Sequence, residues 1–270
     1  MKDNMSKNSS ILSNSTNSTK EPGKGVESNK IWGSVPDRWG WGERLIPDMQ
    51  ADEPGTEKFI ELSLRRYETA ARYVKDKRVL DIACGVGYGS KMLRLAGATN
   101  VVGVDLSSES IEYAKQQYST PEVEFICADA EQFQSSEQFD VVVSFETIEH
   151  LPHPIKFLEN IHSLLVPGGD LILSVPLGET RHFDPYHLHA FSQKQVFALL
   201  EKTGFSIDLY RCDECFTTRS EIDSGSKLHP DSNPSLRELY FTTRGWQVIY
   251  DYVIRGGFSI PQLLVVARSI

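Results

Sequence analysis

Apolar and polar positions form two alternating patterns from about residue 56 onward. Residues 56–74 carry an apolar stripe at spacings of three and four, which predicts a helix. Short apolar runs that predict strands then alternate with helical or irregular stretches, and they lie at 78–83, 101–104, 123–127, 139–145 and 171–175. Helical spacing is found at 89–96, 108–118 and 154–165. This alternation predicts a mainly parallel sheet whose connections are right-handed crossovers.

The remaining chain predicts one more helix and two more strands. Ser192 is a suitable N-cap for a helix that runs to about Lys202 and ends before Gly204. Apolar runs at 205–210 and 263–267 predict the sixth and seventh strands. Between them, residues 212–232 are polar and irregular, while 235–254 have helical spacing. We therefore predict a helical insertion at about 212–258 within a domain that covers residues 56–270.

The first 55 residues differ from the rest of the chain in composition. Residues 1–30 are rich in Ser, Asn, Thr and Lys and have few large apolar side chains, which predicts a disordered N-terminal tail. Residues 31–55 contain three tryptophans with interspersed glycines and no regular period. We interpret this second segment as a lid that covers either the edge of the core or a ligand site.

Charge and hydropathy limit the possible partners. The net charge of −9 argues against nucleic acid, because binding to its backbone depends on clustered Lys and Arg. No apolar run approaches the roughly 18 residues that suggest a membrane span. Four cysteines are too few for a disulfide framework in a chain of 270 residues. We expect a cytoplasmic protein, and the composition predicts no particular oligomeric state.

The first candidate ligand-binding residues lie at 79–90. Here an apolar strand that contains Asp81 is followed by Gly85, Gly87 and Gly89. The next two predicted strands also end in carboxylates, Asp105 and Asp129. A carboxylate at the second position suits the two hydroxyls of a ribose, and one at the third suits an adenine amine. Asp81 would repel a phosphate and favours a cationic or amine-bearing ligand, although a dinucleotide remains an alternative.

These segments resemble the motifs of the class I S-adenosylmethionine-dependent methyltransferases. The resemblance covers residues 81–90, 102–107, 128–130, 139–151 and 164–169. It implies an α/β, Rossmann-like, doubly wound sheet of seven strands in the order 3-2-1-4-5-7-6, with an antiparallel last strand and helices on both faces. It also implies S-adenosyl-L-methionine as methyl donor, with the methionine ammonium near Asp81. The implied cofactor-binding residues are Asp81, Ala83, Gly85, Gly87, Asp105, Leu106, Asp129, Ala130 and Phe145.

The predicted activity is methyl transfer to a small-molecule acceptor, such as an oxygen on a sugar, a glycolipid or a natural product. Alternatives are N- or C-methylation of a metabolite or quinone-type acceptor, an NAD-dependent oxidoreductase and a non-catalytic nucleotide-binding protein. A hydroxyl acceptor calls for a general base, because its proton must be removed. The candidates follow strands four and five: His150, beside Glu146 and Glu149, and then His187 and His189.

A structural role for these histidines is equally compatible with the sequence. A metal site built from His182, Asp184, His187 and His189 has suitable ligand types. Methyl transfer does not require a metal, however, and we predict none.

Overall fold

The computed structural model describes residues 57–178, 186–220 and 250–270. Its strands are β1 (Arg78–Ile82), β2 (Asn100–Asp105), β3 (Val123–Cys127), β4 (Phe139–Phe145), β5 (Leu165–Pro176), β6 (Phe205–Thr218) and β7 (Gly257–Ser269). They form one seven-stranded sheet in the order β3-β2-β1-β4-β5-β7-β6. Strands β1 to β5 pair in parallel, while β7 is antiparallel to both β5 and β6. The predicted fold class and strand order are confirmed.

The helices are α1 (Glu57–Ala70), α2 (Tyr88–Leu95), α3 (Ser108–Tyr118), α4 (Pro154–Leu164) and α5 (Gln193–Lys202), with a 3₁₀ turn at Ile148–His150 and a π-helical turn at Asp251–Arg255. The N-cap of α3 is Ser107, whose hydroxyl accepts from Ser110 N. Ser192 caps α5 through a reciprocal pair of bonds with Gln195, as its position predicted. Within these described ranges, no helix combines the length and hydropathy that crossing a bilayer demands.

Helices cover both faces of the sheet. Because neighbouring residues of a strand point in opposite directions, each strand contributes side chains to both cores. Leu80 and Ile82 of β1 join a core with Phe157 and Leu158 of α4 and with residues of α5. Val79 points the other way and joins a second core that includes residues of α1, α2 and α3. The side chain of Asp81 also contacts Tyr67 of α1 and Ser90 of α2. Alternation along β1 therefore puts this carboxylate inside the second core.

The last two strands differ from the sequence prediction. Strand β6 continues to Thr218 and β7 begins at Gly257, so residues 212–218 and 257–258 are paired strand rather than part of a helical insertion. The predicted bounds of about 212–258 are therefore wrong at both ends. The antiparallel ladder provides the reason, since it satisfies backbone groups whether or not the side chains are apolar. The tail at 1–30, the lid at 31–55 and residues 221–249 of the insertion lie outside the described residues.

Candidate active site

The turn from β1 to α2 lies at the carboxyl edge of the sheet and has an unusual backbone. Ala83, Gly85 and Gly87 all have positive φ angles, of 64°, 55° and 85°. A Cβ on Gly87 would approach Ala114 and Phe125 to 2.7 Å, so packing excludes any larger residue there. A Cβ on Gly85 would meet no atom within 4 Å. Gly85 therefore borders open space, in which a ligand can approach the backbone closely.

Asp81 is a buried carboxylate at the base of this turn, with only 1% of its surface exposed. Its Oδ2 accepts a 2.7 Å hydrogen bond from Ser90 Oγ, and the Tyr67 hydroxyl lies 3.3 and 3.4 Å from its two oxygens. Burial raises the pKa of Asp81 to about 7, and the charge of Asp105 adds to that rise. The two hydroxyl donors act against it by stabilising the charged form. A cationic ligand group would therefore bind the ionised form preferentially.

Tyr67 joins Asp81 to the end of the neighbouring strand. Its ring contacts Phe145 edge-on at a centroid distance of 5.0 Å and Tyr88 at 5.6 Å. Burial, together with the charge of Asp81, raises the pKa of Tyr67 well above its usual value, so its hydroxyl remains a proton donor. In the sequence, Tyr67 belongs to the apolar stripe that predicts a helix at 56–74, and no pattern gives Ser90 a role. Their contacts with Asp81 depend on tertiary packing.

Asp105 lies at the same edge, at the end of β2, which pairs with β1. Its two carboxylate oxygens accept from Gly85 N at 2.8 Å and from Ser107 N at 2.9 Å. Asp105 thus connects the glycine turn to the start of α3. Leu106, the next residue, is 72% exposed, so its side chain is accessible to a ligand.

Asp129 and Ala130 follow β3, the next strand outward. Asp129 accepts from Glu131 N and from the Gln132 side chain, both at 2.8 Å. The Ala130 carbonyl lies 3.5 Å from Asn160 Nδ2. Both Asp129 and Ala130 are half-buried at the sheet edge that also carries Asp105. Their predicted contacts with an adenine stay predictions.

A strained residue marks the end of β4. Glu146, directly after Phe145, has a φ of 49°, which is uncommon for a residue with a side chain. Its Oε1 accepts from Ser174 Oγ at 2.7 Å, and its Oε2 lies 3.2 Å from Arg66 Nη2. Arg66 is buried and also donates to Gln262 Oε1 at 3.0 Å. This network holds the β4 tip in place, a role that sequence spacing does not reveal.

Two of the three candidate histidines meet beyond this tip. The rings of His150 and His187 lie edge to face at a centroid distance of 4.7 Å. Together with the Glu149 carboxylate, they bring three possible ligand atoms within 4.8 Å of one another. Glu149 and His187 are buried, whereas the His150 side chain is 23% exposed. The polar cluster therefore has one open side, at His150.

His189 has a different environment. Its Nε2 donates to the Leu151 carbonyl at 2.9 Å, and its ring stacks on Phe191 at 5.4 Å. The ring therefore connects the segment before α5 to the segment after the 3₁₀ turn. Among the alternative metal ligands, His182 and Asp184 lie outside the described residues. His189 is not part of the three-residue cluster.

Comparison with known proteins identifies the family of this chain. Residues 80–173 match a family profile described as a methyltransferase domain. A ubiquinone biosynthesis O-methyltransferase from Aromatoleum aromaticum is 30% identical over 178 residues, a match that covers 57% of this chain and 74% of that protein. The chain belongs to the class I S-adenosylmethionine-dependent methyltransferases.

Two further comparisons show how far the likeness extends. Another protein of the same name, from Coxiella burnetii, is 34% identical over 132 residues, or 48% of this chain and 55% of that protein. The chain thus matches only about half the length of this relative. A crystal structure of a Bacillus halodurans protein described as a methyltransferase superposes with a TM-score of 0.62 at 21% identity, over 77% of this chain and 98% of that one. It shows the fold.

The cofactor of this family, S-adenosylmethionine, fits the residues at the edge of the sheet. The space beside Gly85 admits a ligand to the turn, and Asp105 presents a carboxylate at the same edge. Within the described ranges, the side chains that donate hydrogen bonds to the buried Asp81 carboxylate are the neutral hydroxyls of Tyr67 and Ser90. Family membership also decides against the nicotinamide-dependent alternative. Asp81 argues the same way, because an acidic group beside a helix N-terminus opposes the binding of a pyrophosphate.

Proposed function

We propose that this protein transfers a methyl group from S-adenosylmethionine to an oxygen of a small molecule. The observation that carries the proposal is the cluster of Glu149, His150 and His187 just beyond the end of β4. Strand β4 pairs directly with β1, so the cluster follows the strand next to the one that bears Asp81. A proton-accepting group beside a methyl-donor site is what a hydroxyl acceptor requires.

Three carboxylates would hold the donor. Asp81 would bind its ammonium, Asp105 would accept from its ribose hydroxyls and Asp129 would lie near its adenine, while the turn at Gly85 would contact the methionine part. When bound, the donor supplies a methyl group on a positively charged sulfur, which becomes a neutral thioether once the methyl has left. Because the donor is already activated, the protein's main contribution is to orient both substrates and to exclude water.

His150 is the best-oriented proton acceptor of the cluster. Its Nδ1 lies 3.3 Å from the Tyr186 carbonyl, and a carbonyl only accepts, so Nδ1 carries the hydrogen. The lone pair of a neutral His150 is then on Nε2, on the partly exposed ring. Removal of the hydroxyl proton by Nε2 leaves the oxygen electron pair to form the new C–O bond, while the C–S pair stays on sulfur.

The acceptor we propose is a hydroxyl on a sugar, a glycolipid or a natural product. A second candidate, a phenolic hydroxyl on a quinone-type precursor, is favoured by the relatives named ubiquinone biosynthesis O-methyltransferase. These acceptors differ in hydroxyl acidity, since a phenol has a pKa near 10. A phenolic acceptor would therefore depend less on a strong base than a sugar hydroxyl would.

The test is a transfer assay with the full chain and methyl-labelled S-adenosylmethionine. Cell extract fractions, simple sugars, phenols and amines are offered in parallel, and mass spectrometry locates the label in each product. We expect label on oxygen. Label on nitrogen or carbon alone would overturn the choice of acceptor. If the protein binds S-adenosylhomocysteine but labels none of these, the non-catalytic alternative replaces the proposal.

A further inference from the structure

We propose that Tyr67 of α1 is a positioning residue for the methyl donor, because its hydroxyl holds the Asp81 carboxylate in the orientation and charge state that bind an ammonium. Tyr67 precedes Asp81 by 14 residues and lies outside the glycine motif. The inference rests on the proposed contact between Asp81 and the ammonium of the donor. Tyr67 would act through Asp81 and not by touching the reacting atoms.

The Tyr67 hydroxyl bridges the two oxygens of the Asp81 carboxylate. It lies 3.3 Å from Oδ1 and 3.4 Å from Oδ2, while Ser90 Oγ donates to Oδ2 at 2.7 Å. The Ser90 bond holds one oxygen, and the tyrosine hydroxyl limits rotation of the carboxylate about the Cβ–Cγ bond. Each carboxylate oxygen can accept about two hydrogen bonds, so Oδ1 retains the capacity to accept from a ligand ammonium.

The third glycine of the motif makes room for this tyrosine. A Cβ on Gly89 would overlap Tyr67 Cζ, the ring carbon that bears the hydroxyl, and both neighbouring ring carbons. Gly89 does not have a positive φ, so its backbone conformation would accept other residues. Packing against the tyrosine ring therefore accounts for a glycine at this position. A larger residue there would displace the hydroxyl from Asp81.

Aromatic contacts hold the Tyr67 ring in this place. The ring is 5% exposed, and it meets Phe145 edge-on at a centroid distance of 5.0 Å and Tyr88 at 5.6 Å. The Tyr88 hydroxyl has a different partner, Ser63 Oγ, at 2.5 Å. Two buried tyrosine hydroxyls therefore lie in one aromatic cluster, and the bond to the Asp81 carboxylate comes from Tyr67.

The charges around Asp81 make its hydroxyl donors important. Within the described part of the chain, the titratable groups that face it are Tyr67 of α1, Cys84 of the turn, Tyr88 of α2 and Asp105 of β2. None of these four supplies a positive charge. Burial raises the pKa of Asp81 to about 7, and the charge of Asp105 adds to that rise. The Ser90 and Tyr67 hydroxyls lower this pKa, because they stabilise the ionised form.

Removal of the Tyr67 hydroxyl should therefore raise the pKa of Asp81 further. The net effect of one hydrogen bond corresponds to about 0.5 to 1 pH unit. If the ammonium binds only ionised Asp81, affinity should fall about three- to tenfold at pH 6. At pH 8.5 the loss should be less than about twofold, because Asp81 is then mostly ionised in both proteins. A purely structural role would weaken binding equally at every pH.

The experiment compares Tyr67→Phe with Tyr88→Phe in the full chain. Tyr88→Phe is the matched control, because it removes a neighbouring buried hydroxyl that is bonded to Ser63. In the ligand-free protein, NMR of ¹³C-labelled aspartate carboxyls follows the titration of Asp81, which is assigned as the signal that Asp81→Asn lacks. Calorimetry at pH 6 and pH 8.5 measures the affinity for S-adenosylhomocysteine. We expect the higher Asp81 midpoint and the pH-dependent loss of affinity in Tyr67→Phe alone.

An Asp81 midpoint that is the same in Tyr67→Phe and Tyr88→Phe overturns the proposal, and so does a loss of affinity that is equal at both pH values. Gly89→Ala displaces the hydroxyl instead of deleting it, and it replaces Tyr67→Phe if that variant does not fold. A raised midpoint without any change in affinity would contradict the proposed contact between Asp81 and the donor ammonium. It would leave the link between Tyr67 and Asp81 intact, so the two failures are distinguishable.

Discussion

The raised pKa of Asp81 predicts that cofactor affinity depends on pH. Burial shifts this pKa from 3.8 to about 7, a rise of roughly three pH units. If the ligand ammonium binds only the ionised carboxylate, affinity should fall about tenfold for each pH unit below 7 and level off above it. The expected result is therefore a loss of more than about tenfold in S-adenosylhomocysteine affinity between pH 7.5 and pH 5.5.

The ligand-free protein should show the opposite trend in stability. The folded chain holds the Asp81 proton more tightly than the unfolded chain, so its free energy of unfolding falls as pH rises from about 4 to 7. Three pH units at 1.36 kcal/mol each correspond to about 4 kcal/mol. Asp81→Asn cannot ionise, so its stability relative to wild type should increase by about that amount across this range.

Calorimetry at several pH values and constant ionic strength measures the affinities, and denaturant titration measures the stabilities. Asp81→Asn is the control in both, because it keeps all other titrating groups. It should bind S-adenosylhomocysteine weakly and with little pH dependence. Equal affinity at pH 5.5 and 7.5 in wild-type protein would refute the reasoning, as would a pH dependence that persists unchanged in Asp81→Asn.

Three other predictions concern neighbouring residues. Asp105→Ala should abolish measurable S-adenosylmethionine binding in a soluble, folded protein. If calorimetry shows that the variant binds S-adenosylmethionine with wild-type affinity, the cofactor assignment is refuted. Gly87→Ala should lower the melting temperature more than Gly85→Ala, since only the first creates a steric overlap, whereas both should impair cofactor binding. His187→Ala and His189→Ala should lower the rate of methyl transfer more than cofactor affinity; normal turnover in both would exclude them from acceptor activation.

Most of the sheet could be predicted because its strands are buried on both faces. The runs at 139–145 and 171–175 consist largely of apolar residues, and both lie within observed strands. The outer halves of β6 and β7 could not be predicted in this way. Their paired segment contains Arg211, Asp213 and Glu214, and its ladder depends on backbone hydrogen bonds that hydropathy does not register.

The candidate site was predictable where it follows strand ends and was not predictable where it depends on packing. Asp81 and Asp105 lie in or at the end of successive parallel strands, and parallel strands share one carboxyl edge. The contact between His150 and His187 could not be predicted in this way, because no sequence pattern places these two residues together. It depends on the path of the segment before α5, which the backbone bonds from Leu188 and His189 to Glu149 establish.

Gly103 shows why the glycine motif alone does not specify the charge of this site. It pairs with Asp81 in the sheet, and a Cβ there would lie 2.6 Å from Phe125 and 2.9 Å from Ser90 Oγ. The missing side chain leaves the room in which the Ser90 hydroxyl reaches Asp81. That bond opposes the effect of burial on the pKa of Asp81. The pH at which the site becomes anionic is therefore determined partly by β2, outside the motif that contains Asp81.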